Sequence, residues 1–167
     1  NLTKFPFTPS KESKIKYLYL SGNYISSLPK NMTEVVLVDI SSNEIGPSLP
    51  ISISEALTSY PKLNTLYLTQ NNLEDVNSLQ NSTLQTFYLA QNRLNQLPNQ
   101  FFGKFPEIQT IFLDCNFIKV LSNQKSESIH TLSSSLNCIE TIDTSTLAFS
   151  QLISLDLSKN RITKLPD

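Results

Sequence analysis

Leu63-Asn64-Thr65-Leu66-Tyr67-Leu68-Thr69-Gln70-Asn71-Asn72-Leu73 places apolar residues at spacings of three and then two. An asparagine follows three positions on, and a leucine two beyond it. Three apolar residues in that arrangement cannot share one helical face. Leu66 and Leu68 alternate with surface residues, as a short half-buried strand requires. The frame recurs from Ile15, Val35, Leu84, Ile108, Ile129 and Leu152. With it return Asn23, Asn43, Asn71, Asn92, Asn116, Asn137 and Asn160, at intervals of 20 to 28 residues. A period in this range signals a solenoid rather than a single globular core.

The asparagine has a physical task in such a repeat. Its amide carries two donors and an acceptor, and a buried turn leaves backbone groups without strand partners. A stacked column of asparagines satisfies them. Stacking the units also buries an apolar side that no unit can bury alone, and lines up a parallel sheet along one face. The fold class expected is therefore an α/β-type repeat solenoid, a curved arc with a concave parallel β-sheet. Its convex side is made of loops and short helical turns. Six frames keep an aliphatic residue at the third apolar position: Leu20, Ile40, Leu68, Leu89, Leu113 and Leu157. The sixth copy places Ser134 there, which demands a packing defect or a hydrogen-bond partner.

The pattern resembles the leucine-rich repeat family over essentially all of residues 1–167. Leu94-Asn95-Gln96-Leu97-Pro98-Asn99-Gln100-Phe101-Phe102, leading to Ile108, is similar to the repeat of animal receptor ectodomains, including Toll-like receptors. Leu2-Thr3-Lys4-Phe5-Pro6 followed by Ile15 to Leu20 resembles the end of an extracellular N-terminal cap, and Asn43 to Pro50 partly resembles plant-type receptor repeats. Residues 1–167 read as one solenoid of about seven repeats, with an incomplete N-terminal cap or repeat and a truncated C-terminal repeat. The resemblance implies an extracellular recognition module of an innate-immune or cell-surface receptor. Its partner would be a protein or pathogen-derived ligand, and binding could be coupled to receptor dimerisation. An intracellular scaffold and a structural spacer are the alternatives.

Strand residues between the inward ones face a partner. The central outward position reads Tyr19, Asp39, Tyr67, Tyr88, Phe112, Ser133 and Asp156, and the one before it Tyr17, Leu37, Thr65, Thr86, Thr110, Thr131 and Ser154. Strands lie about 4.8 Å apart, so Tyr67, Tyr88 and Phe112 form one ladder. Such a ladder either stabilises the sheet or meets a ligand. The interface candidates are Tyr19, Tyr67, Tyr88, Phe112 and Asp114. The long interval from Asn43 to Asn71 reads as an extended crossover loop.

The chain is close to neutral, with 13 basic and 14 acidic residues, which disfavours a nucleic-acid surface. No apolar run approaches the length of a membrane helix, so no membrane insertion by this segment is expected. His130 is the sole histidine and has no evident catalytic partner, and no cofactor, metal or catalytic site is expected. Cys115 and Cys138 fall in adjacent units, as a disulfide or as two independent thiols. Asn1, Asn31 and Asn81 begin glycosylation triplets.

Overall fold

The computed structural model describes residues 2–6, 8–10, 12–143 and 147–164. Each of the seven frames contributes one three-residue strand: β1 (Tyr17–Tyr19), β2 (Leu37–Asp39), β3 (Thr65–Tyr67), β4 (Thr86–Tyr88), β5 (Thr110–Phe112), β8 (Thr131–Ser133) and β11 (Ser154–Asp156). They form one parallel sheet in chain order, and every frame pairs with the next position for position. Two further parallel pairs lie in the crossovers: β6 (Val120–Leu121) with β9 (Thr141–Ile142), and β7 (Gln124–Ser126) with β10 (Leu147–Phe149).

The period-two pattern is visible in the burial. Leu18, Val38, Leu66, Phe87, Ile111 and Leu132, the central strand residues, are all buried. Leu155 is the exception at 50% exposure, because β11 is the last strand of the sheet and no described strand covers its outer side. The core then widens into the crossovers, where Phe101, Phe102 and Phe105 pack beside Phe87 and Phe149.

The asparagines form the expected ladder. Asn92 Nδ2 donates to Leu68 O and Leu89 O, and its Oδ1 accepts from Leu73 N. Asn116 repeats this with Leu89 O, Leu113 O and Leu94 N. Asn43, Asn71, Asn137 and Asn160 likewise each bridge two successive turns. A second regularity accompanies them. The residue before each repeat asparagine has positive φ: Gly22, Ser42, Gln70, Gln91, Cys115, Leu136 and Lys159, at 52° to 67°. The left-handed residue turns the chain sharply enough to aim the next amide inward. Only Gly22 adopts that conformation freely.

Two expectations gain detail. Ser134 is fully buried, and its Oγ accepts from Asn137 Nδ2 at 3.2 Å, so the hydrogen-bond partner is supplied from within its own turn. The long crossover after Asn43 is not merely an extended loop: Ile51–Thr58 is an eight-residue helix, α1. Pro50 precedes its first turn, and Ile53, Ala56 and Leu57 recur at helical spacing on the buried side. Gly46 opens this insertion, where an added Cβ would lie 2.1 Å from Asn72 O.

Candidate ligand-binding face

The pleat sends alternate strand residues away from the core, so the one-to-one register stacks the outward side chains in columns. In the central column Tyr67 and Tyr88 stack at 4.2 Å between ring centroids, 4° from parallel. Tyr88 and Phe112 continue the stack at 4.9 Å and 11°. The three strands thus hold one aromatic pile, rings face to face and edges outward. Burial raises the Tyr67 hydroxyl above the usual phenol range, with smaller contributions from Tyr88, Asp39 and Tyr19.

Tyr19 stands apart from the pile. It pairs with Asp39 of β2, which in turn pairs with Tyr67 of β3, so an acid separates its ring from the others. Both Tyr17 and Tyr19 are exposed, at 57% and 68%. Asp114, the fifth candidate, is committed to the fold. Its Oδ1 accepts from Ser133 Oγ at 2.5 Å, Ser135 Oγ at 2.7 Å and Ser135 N at 2.9 Å. Asp39 Oδ1 accepts from Ser41 N, and Asp156 accepts from the backbone and side chain of Ser158, each within its own turn. The same turn motif therefore leaves Asp39 and Asp156 more available than Asp114.

Asn31 is exposed, whereas Asn81 is 5% exposed. The Asn81 amide nitrogen, the atom a glycan would occupy, donates to Leu57 O at 2.9 Å, and Oδ1 holds the Thr83 turn. Asn81 is thus a structural plug between crossovers, its amide engaged in the fold. Asn1 lies outside the described residues. Cys115 and Cys138 are free thiols, both half-buried, so no disulfide joins them. Their offset within the repeat explains this: Cys115 N bonds to Ser135 O, whereas Cys138 N bonds to Ile118 O.

Among the described residues no group of three or more acidic, histidine or cysteine side chains is placed to hold a metal ion. Among the described residues no helix is long and apolar enough to cross a membrane. A cavity of about 490 Å³ lies at the N-terminal end between Lys4, Phe5, Leu28 and Asn31, and its lining includes no strand residue. Sequence reasoning passed over Asp39 and Tyr17 as candidates. Their columns were legible, and the one-to-one register would have shown Asp39 between two tyrosines.

A family model described as Leucine Rich Repeat matches residues 14–35, the span from just before β1 into the second frame. Keratocan of Mus musculus is 33% identical over 128 residues, covering 73% of this chain and 34% of keratocan. Lumican of Rattus norvegicus is 28% identical over 180 residues, covering 98% of this chain and 49% of lumican. Leucine-rich repeat serine/threonine-protein kinase 1 of Mus musculus is 28% identical across 91% of this chain, which corresponds to 8% of that protein. The chain thus spans about a third of the length of the keratocans it matches. With seven paired frames, a continuous asparagine ladder and these similarities, the chain belongs to the leucine-rich repeat family.

Proposed function

We propose that this chain is an extracellular recognition module that binds a protein partner across the open face of its seven-stranded sheet. The observation that carries the reading is the unbroken Tyr67–Tyr88–Phe112 pile, a rigid aromatic ridge on a face rich in small hydroxyl residues. Aromatic side chains give a large contact area at little cost in conformational entropy, and a broad ridge suits a protein surface better than an enclosed small ligand. Similarity to keratocan and lumican across most of the chain supports a repeat module used for binding. The receptor-like phrases from Leu94 to Phe102 support a cell-surface or innate-immune setting, with a protein or pathogen-derived ligand. The triplet at Asn31, whose asparagine and threonine are exposed, supports an extracellular one.

Tyr67, Tyr88 and Phe112 replaced together by serine test the reading. The inward residues and the asparagine ladder are untouched, so circular dichroism should report an intact fold. Capture of the partner that the unaltered protein retains should be lost. Retention of that partner by the folded triple variant would overturn the assignment of this face. One observation favours the second reading, an intracellular scaffold: both cysteines are free. Secretion with a glycan on Asn31 would exclude it.

A further inference from the structure

The open face has a charge pattern that its aromatic ridge alone does not explain. None of the 13 lysines and arginines occupies either outward strand column or the next position after each strand pair, Ser21, Ser41, Thr69, Ala90, Asp114, Ser135 and Ser158. Three acids do: Asp39, Asp114 and Asp156. Asp114 is consumed by three hydrogen bonds from the neighbouring turn. Asp156 has β8 on one side, presenting Ser133, and the open sheet edge on the other. Asp39 alone is flanked by an aromatic ring on each side, Tyr19 from β1 and Tyr67 from β3.

We infer that Tyr19, Asp39 and Tyr67 form a docking site for an arginine side chain projecting from the protein partner. This inference rests on the open sheet face being the binding surface. Two strand intervals separate the backbones of Tyr19 and Tyr67 by about 10 Å, which places a cation midway within about 6 Å of both rings. The Ser41 N–H fixes Asp39 Oδ1 at 3.0 Å, which holds the carboxylate in place beside the rings. Among the described residues no ion pair engages Asp39. Lys62, Lys14 and Lys16 act on Glu34, Lys62 through a direct ion pair. Tyr67 has one ring face against Tyr88, so the pile buttresses the other face rather than competing for it. A planar guanidinium stacks on such a ring while donating to the carboxylate, whereas a neutral side chain of the same shape gains neither attraction.

The test titrates the protein, with tyrosine rings labelled with 13C, against an N-acetylated tetra-arginine amide followed by NMR. The matched tetra-citrulline peptide keeps size and planar shape, replaces one guanidinium nitrogen by a carbonyl oxygen and removes the charge. Saturable shifts should centre on Tyr19 and Tyr67, and both the citrulline peptide and the Asp39→Asn variant should bind about tenfold or more weakly. Tyr19→Leu, which leaves the carboxylate in place, should weaken binding about threefold or more. Equal binding of the two peptides, unchanged binding by Asp39→Asn, or shifts confined to other tyrosines would overturn the arginine site. The wider reading is judged separately. A partner still captured by Asp39→Asn but lost by the triple-serine variant would refute the arginine site and leave the face as the interface. A partner retained by both would refute both.

Discussion

Asn92→Ala measures what one rung of the ladder is worth. Asn92 is buried, and its amide reaches three carbonyls: Leu68 O at 2.9 Å, Leu89 O at 3.1 Å and Ala90 O at 3.3 Å. All three are redundantly served, since Leu68 O also receives Asn71 Nδ2, Leu89 O also receives Asn116 Nδ2 and Ala90 O also receives Gln70 N. The irreplaceable bond is the one Leu73 N donates to Oδ1 at 3.1 Å. Alanine therefore orphans one buried donor, for a loss of about 2 kcal/mol in a range of about 1–3. Asn92→Asp separates acceptor from donor. Ionised, it keeps the Leu73 bond but points its other oxygen at three carbonyls, which should cost more than alanine, about 3 kcal/mol or more. Folding then favours the protonated acid and raises its pKa above the unfolded value near 3.9. Its stability relative to the native protein is thus highest below that value and falls as pH rises through the raised folded pKa. Asn23→Ala is the control, because Asn23 is half-exposed and its Oδ1 meets an exposed Leu2 N; it should cost under about 1 kcal/mol. Urea unfolding followed by far-UV circular dichroism at pH 4 and pH 7 reads all four proteins. Equal losses for Asn92→Ala and Asn23→Ala, or an aspartate penalty independent of pH, would refute the argument.

The left-handed residues offer a gain. Leu136 combines φ of 52° with 46% exposure, so Leu136→Gly should stabilise by about 0.5–1 kcal/mol, and a lower urea midpoint would contradict it. In protein secreted from a glycosylating host, Asn31→Gln should increase gel mobility. Asn81→Gln should leave mobility unchanged and lower the melting temperature; a mobility change at Asn81 would contradict its role as a plug. Absorbance titration at alkaline pH should resolve a late-ionising phenol that disappears in Tyr67→Phe, leaving the still later hydroxyl of the fully buried Tyr60, because burial raises both. An unchanged titration curve would count against the packed pile.

The sheet and ladder were legible because both are enforced by period. Apolar residues three and two apart admit one strand register, and an asparagine at constant distance admits one bonding role. The left-handed turn was not legible, since Ser42, Gln70, Gln91, Cys115, Leu136 and Lys159 share no chemistry that favours it. The ladder imposes it from outside, through bonds that require the sharp turn. Helix α1 was missed for a related reason: Ile51–Thr58 offers little more than two turns, too few for periodicity to stand out from an apolar loop. The candidate face was legible as columns, but not in the way its acids divide. Asp39 and Asp156 hold the central outward position and bond within their own turns, whereas Asp114 stands one outward position later and bonds to Ser133 and Ser135 of the next repeat.

That difference yields a last expectation, for Asp114. In position it is an interface residue, one step beyond Phe112 at the end of the aromatic pile. In bonding it is a clamp between the β5 and β8 turns, accepting from two serine hydroxyls and one backbone N–H. The clamp sits beside the repeat in which Ser134 replaces an aliphatic core residue, so it strengthens the stacking where apolar packing is thinnest. Asp114→Ala removes three bonds to a charged acceptor and leaves the half-buried Ser135 N–H to find water, at a cost of about 1.5–3 kcal/mol. Asp114→Asn keeps a neutral acceptor at the Oδ1 position and should recover about half of that. Asp39→Ala should lose under about 1 kcal/mol of stability, with its effect falling on binding instead. Thermal melts of the three variants beside partner affinity separate the roles. Asp114→Ala melting with the native protein, or Asp39→Ala melting well below it, would show that the two carboxylates have been assigned the wrong way round.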